Sequence, residues 1–183
     1  MPTVRTQPAI KSGRSVPAGF SLVEALVVVM VILIIAAIAI PGLLRGKMRA
    51  NEAAAVASVK TIETAQTLYF NTYPQTGFAA SLPNLGSHGS TCDKPTSTAA
   101  CIIMDDALTS GLKSGYIFEV VNDGNKPAMS YTVTATPEST ASGRCAVSSN
   151  EAGDLHFSVA GTGTVVGSRS VGSGGSSGSG CEL

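Results

Sequence analysis

Few side chains in this chain could do chemistry, and their spacing decides which. Glu24 stands at the head of residues 25–44, ALVVVMVILIIAAIAIPGLL, 20 residues without a charge. A carboxylate bordering such a run costs about 2.5–3.5 kcal/mol on membrane-insertion scales, so it calls for a partner. A cut before Phe20 would create an α-amino group, ordinarily titrating at roughly 7.7–8.0, four residues from Glu24. The two charges could then neutralise each other, within one chain or between neighbouring chains. A plainer, compatible reading is local: Ser21-Leu22-Val23-Glu24 is an S-x-x-E capping box that would start a helix and put negative charge at its positive end.

The remaining candidates are weaker. His88 and His156 are isolated, in Ser/Gly-rich or strand context, and read as surface or half-buried side chains rather than bases. Asp105-Asp106 reads as a loop or helix cap, and Asp123-Gly124-Asn125 lacks the ligand series of an EF-hand. Cys92, Cys101, Cys145 and Cys181 include no C-x-x-C and no adjacent His, which disfavours zinc. No phosphate loop, nucleophile elbow or dinucleotide fingerprint occurs. The expectation is a chain that is not an enzyme, with no cofactor and no metal. Twelve basic residues balance 12 acidic ones, Trp is absent and aromatics are 5%, leaving neither a basic footprint nor a stacking platform for nucleic acid.

What positions Glu24 is therefore the main question. The chain has 183 residues, about one domain in length. Only 13% of them are charged, against a usual share of about 25%. The apolar excess is concentrated in residues 25–44, and at about 1.5 Å per residue a helix of that length spans the ~30 Å of bilayer hydrocarbon. A single strand of that length is far outside the usual range of about 4–8 residues. Residues 1–19 carry Arg5, Lys11 and Arg14 and no acid. Three arrangements fit: a secretory signal peptide cut after a small-x-small site such as Ala37-Ile38-Ala39, a plain membrane anchor, or a cut between Gly19 and Phe20 that leaves the apolar run in the mature protein.

The order GFSLVEAL, from Gly19 to Leu26, after a basic leader and before an apolar run interrupted by Pro41, resembles the class III signal of type IV pilins and type II secretion pseudopilins. The resemblance implies that a prepilin peptidase cuts after Gly19 on the cytoplasmic side and methylates the amine of Phe20. It further implies that Glu24 pairs with the N-terminal amine of an adjacent subunit and sets the register of a helical filament, a homo-oligomer. Three basic residues precede the run and Arg45, Lys47 and Arg49 follow it, so charge alone does not orient it. Pro41 and Gly42 predict a helix break or kink, and in similar pilins the stretch from Pro41 to Gly46 partly unwinds on packing.

The expected organisation is a leader at 1–19, a transmembrane or filament-core half-helix at 20–44, an amphipathic half-helix at 45–73, and a β head at 74–183. Ala55, Val59, Ile62, Ala65 or Gln66, and Tyr69 recur at three- and four-residue spacing opposite Lys60 and Glu63, and Pro74 ends the helix. Strands are expected at 113–121, 129–136, 144–147 and 154–159, with a turn at Asn122-Asp123-Gly124-Asn125. The fold class is α+β, pilin-like, with the long helix packed on a small antiparallel sheet. Tyr69, Phe70 and Tyr73 read as packing between helix and head. The four cysteines admit three pairings. Cys92 with Cys101 and Cys145 with Cys181 are favoured in an exported head, the second fastening a tail that holds 8 of the 20 glycines in residues 161–180.

The reading is a prepilin that polymerises into a type IV pilus, held in the inner (cytoplasmic) membrane before assembly and extracellular after it, with the pilus or type II secretion machinery as partner. The alternatives are a type II secretion pseudopilin and a secreted binding module cut after Ala39. Loss of the leader would leave nine basic against 12 acidic side chains, a formal charge of −3.

Overall fold

The computed structural model describes residues 21–87 and 92–160 and the backbone of residues 165–169. In chain order the elements are helices α1 (Leu22–Thr72), α2 (Leu82–Leu85) and α3 (Asp106–Thr109), then strands β1 (Leu112–Lys113), β2 (Tyr116–Asn122), β3 (Tyr131–Pro137), β4 (Cys145–Asn150), β5 (Leu155–Val159) and β6 (Val165–Arg169). Helix α1 stops two residues short of Pro74. Pro41 and Gly42 lie inside it.

The chain divides into two units at Ile40 and Pro41. In the first, the described part of α1 buries no side chain: Leu22 is 80% exposed, Leu33 64% and Ile38 78%. An unbroken apolar surface of this kind is stable only when lipid or another protein covers it.

The second unit has its own core. Along α1, Ala55, Val59, Ile62, Ala65 and Tyr69 are buried, the three- and four-residue stripe of an amphipathic helix. They pack with alternate residues of the sheet: Tyr116, Phe118 and Val120 of β2, Tyr131, Val133 and Ala135 of β3, Val147 of β4 and Leu155 of β5. Each fully buried large aliphatic or aromatic side chain contributes about 1.5–3 kcal/mol. The sheet is a six-stranded meander in chain order, every neighbouring pair antiparallel. The class is α+β, a long N-terminal helix packed on an antiparallel sheet.

The strands differ from the sequence reading in three places. The expected strand at 113–121 is a hairpin, because Lys113 pairs with Tyr116 across a two-residue loop in which Ser114 and Gly115 both have positive φ, 52° and 74°. Strand β4 runs on through Ser148, Ser149 and Asn150, where polar residues suggested its end. Val165–Arg169 adds a sixth strand within the glycine-rich tail, where only a loop was expected.

Candidate functional site

The candidate site is the N-terminal end of α1. The Ser21 carbonyl accepts the Ala25 N–H at 3.1 Å, which makes Ser21 the cap position and puts Glu24 in the first helical turn. A carboxylate there favourably faces the positive end of the helix dipole. Among the described residues Glu24 is exposed and makes no ion pair, and beyond it no charge occurs until Arg45. Gly19 and Phe20 lie outside the described residues.

Polar contacts as well as apolar ones hold α1 against the head. Glu52 is 7% exposed, and its Oε1 accepts the backbone N–H of Arg144 at 2.8 Å. Asn51 Nδ2 donates to the Ser142 carbonyl at 3.0 Å. Ser149 Oγ donates to Glu63, so Glu63, expected on the polar side, is half-buried and faces β4. The Tyr69 hydroxyl donates to the Ser97 carbonyl at 2.6 Å and the Tyr116 hydroxyl to the Cys145 carbonyl at 2.9 Å. Burial raises the Tyr116 phenol above its ordinary range, and the nearby Glu52 carboxylate adds to the shift. Phe70 packs on Phe78 and Tyr69 joins the head core, the helix-to-head packing expected of these aromatics, while Tyr73 packs back on Tyr69 one turn earlier.

Glu52 and Gln66 were legible in principle. Positions 52, 55, 59, 62, 66 and 69 continue one three-and-four spacing, so both polar residues sit on the buried stripe. For Ser149 the strand pattern carries no such signal, since Ser-Ser-Asn also reads as a turn.

Cys92 and Cys101 form a disulfide with Cα atoms 5.8 Å apart, tying a loop that follows α2. Cys145 is also disulfide-bonded, and Cys181 lies outside the described residues. Asp105 caps α3, accepting the N–H groups of Ala107 and Leu108, and pairs with Lys113 at 2.7 Å. The Lys113 hydrogen bond leads the contacts that hold its carboxyl below the usual range. Asp123 folds back on its own turn, accepting from Asn125 N–H and Met129 N–H. His156 is half-buried in β5 between Ser148 and Ser168, and His88 lies outside the described residues. Among the described residues no three of His, Cys, Asp and Glu converge on a point. The first unit presents an apolar helix with a lone carboxylate at its head.

Residues 14–40 match the family model of the prokaryotic N-terminal methylation motif, the class III signal of type IV pilins and pseudopilins. Neither the curated proteins nor the solved structures contain a match to this chain.

Proposed function

We propose that the chain is a prepilin, a membrane-held structural subunit cut between Gly19 and Phe20, methylated on the new Phe20 amine, and polymerised through α1 into a type IV pilus. The observation that carries this is the pairing of a fully exposed apolar helix with one carboxylate at its head: a window of mean hydropathy 3.2 has none of its residues buried in the chain itself. Lipid covers that surface in the precursor and neighbouring helices cover it in the filament. Inside such a filament an unpaired Glu24 carboxylate costs several kcal/mol, so subunits dock where it meets the Phe20 amine of a neighbour. Prepilin peptidase and the pilus assembly machinery are the partners this requires.

The disulfide-pinned head supports an exported, extracellular location, because disulfides persist in oxidising compartments. A type II secretion pseudopilin, which shares the same N-terminal chemistry, is the alternative.

The N-terminal residue and mass of the mature protein test the reading. A start at methylated Phe20 supports it. A start near Ile40 removes Glu24, overturns the assembly mechanism, and leaves a secreted head acting alone.

A further inference from the structure

Directly beyond Leu44 the helix changes from apolar to basic, with Arg45, Lys47 and Arg49 within five residues. Arg45 and Arg49 are four apart and share a helix face, while Lys47 points to the other side. Beside the arginine face lies a cleft of about 730 Å³, lined in part by Arg45, Met48, Arg49, Glu52, Thr140 and Arg144. Three arginines line it against one glutamate, and Glu52 already accepts the Arg144 backbone N–H. Among the described residues the ion pair is Lys113 with Asp105, so none of these arginines has a carboxylate within pairing distance.

Three like charges held on a helix and an adjoining loop repel one another, and an anion between them relieves that repulsion. The guanidinium fork matches a phosphate better than a lone carboxylate or chloride, because it offers two parallel N–H donors. The source of the phosphate follows from position. Residues 25–44 have the length of the hydrocarbon layer, so Arg45 and Arg49 begin where headgroups begin. Juxtamembrane basic residues at that depth attract anionic lipid.

We propose that this cleft holds the phosphate of an anionic phospholipid in the leaflet where α1 leaves the bilayer. The site would orient the head at the membrane surface before assembly. It rests on the reading of α1 as a membrane span, and the test separates the two.

The full chain is placed in nanodiscs of phosphatidylcholine containing a minority of phosphatidylglycerol, and lipids retained on gentle extraction are identified by native mass spectrometry. Wild-type protein is expected to retain phosphatidylglycerol preferentially. R49Q/R144Q should lower that enrichment by roughly 30-fold, on the scale of surface attraction lost with two basic residues. K47Q, which removes a charge at the same depth outside the cleft, should leave it nearly unchanged. Equal loss in K47Q overturns the proposal in favour of diffuse surface attraction. Inorganic phosphate, titrated into discs of pure phosphatidylcholine, provides the second arm: tight binding there, with no lipid preference in the mixed discs, assigns the cleft to a free anion and overturns the lipid assignment. Failure of the chain to enter discs of either composition overturns the span reading and this proposal with it. A circular-dichroism melt matching wild type establishes that R49Q/R144Q is folded.

Discussion

The Gln66 side chain grips the Ala79 peptide from both sides: its Nε2 donates to the Ala79 carbonyl at 3.1 Å and its Oε1 accepts the Ala79 N–H at 2.8 Å. Both residues are fully buried, so no water replaces either bond. Gln66→Leu keeps the volume but strands a backbone donor and an acceptor in the core, which costs about 2–4 kcal/mol. A thermal melt of the full chain in detergent should fall by roughly 10 °C. An unchanged melting temperature would mean that the segment after α1 is held without this clamp.

How far the fold was legible follows from which residues carry local signals. The span at 25–44, the buried stripe from Ala55 to Tyr69, and β2 and β3 all have a period readable in a single segment. Strand β1 was missed because two residues give no period, and its existence depends on the turn at Ser114 and Gly115. The end of β4 was misjudged because Ser149 is buried by a tertiary partner, Glu63, 86 positions away. At the candidate site, Glu24 stood out because a charge beside an apolar run is costly, and the sequence itself displays that cost. The cleft beside Arg144 was invisible because it joins α1 to a loop 92 positions beyond Glu52.

Gly77 and Gly124 separate two kinds of glycine requirement. Both have positive φ, +81° and +74°, but a Cβ on Gly77 would lie 2.1 Å from the Ala128 backbone nitrogen, whereas nothing lies within 4 Å at Gly124. Gly124→Ala should therefore cost only the left-handed conformation, about 1–2 kcal/mol. Gly77→Ala must also push apart the contact in which Phe78 N–H donates to the Ala128 carbonyl, and should cost about 2–4 kcal/mol. Denaturant midpoints of the two variants check the ranking, and equal losses would refute the steric argument.

Alkaline pH should loosen the head. The Tyr131 phenol is pushed up to about 12, chiefly by burial and further by the Glu63 and Glu151 carboxylates, and Tyr116 and Tyr69 are raised as well. The unfolded chain ionises these phenols near 10. A raised folded pKa means that the stabilisation is whole below pH 10 and is lost as pH climbs from about 10 to about 12. Tyr131→Phe removes one titrating group and should flatten the decline in that window. Melting temperature against pH, read beside tyrosinate absorbance, would expose an error if stability held level up to pH 12.

Glu24 is where charge and shape can be told apart. Glu24→Ala and Glu24→Gln both remove the carboxylate, but only glutamine keeps its size and hydrogen-bonding reach. If the residue merely caps α1, glutamine should serve, because a capping box accepts Glu or Gln at this position. If the carboxylate pairs with the Phe20 amine of a neighbouring subunit, glutamine leaves that ammonium unpaired in an apolar interior, at several kcal/mol. Both variants should then remain membrane-held while filament yield falls more than tenfold, since each 1.4 kcal/mol is a factor of ten. Counting sheared filaments by electron microscopy against precursor in the membrane fraction distinguishes the two roles, and normal filaments from Glu24→Gln would reduce Glu24 to a helix cap.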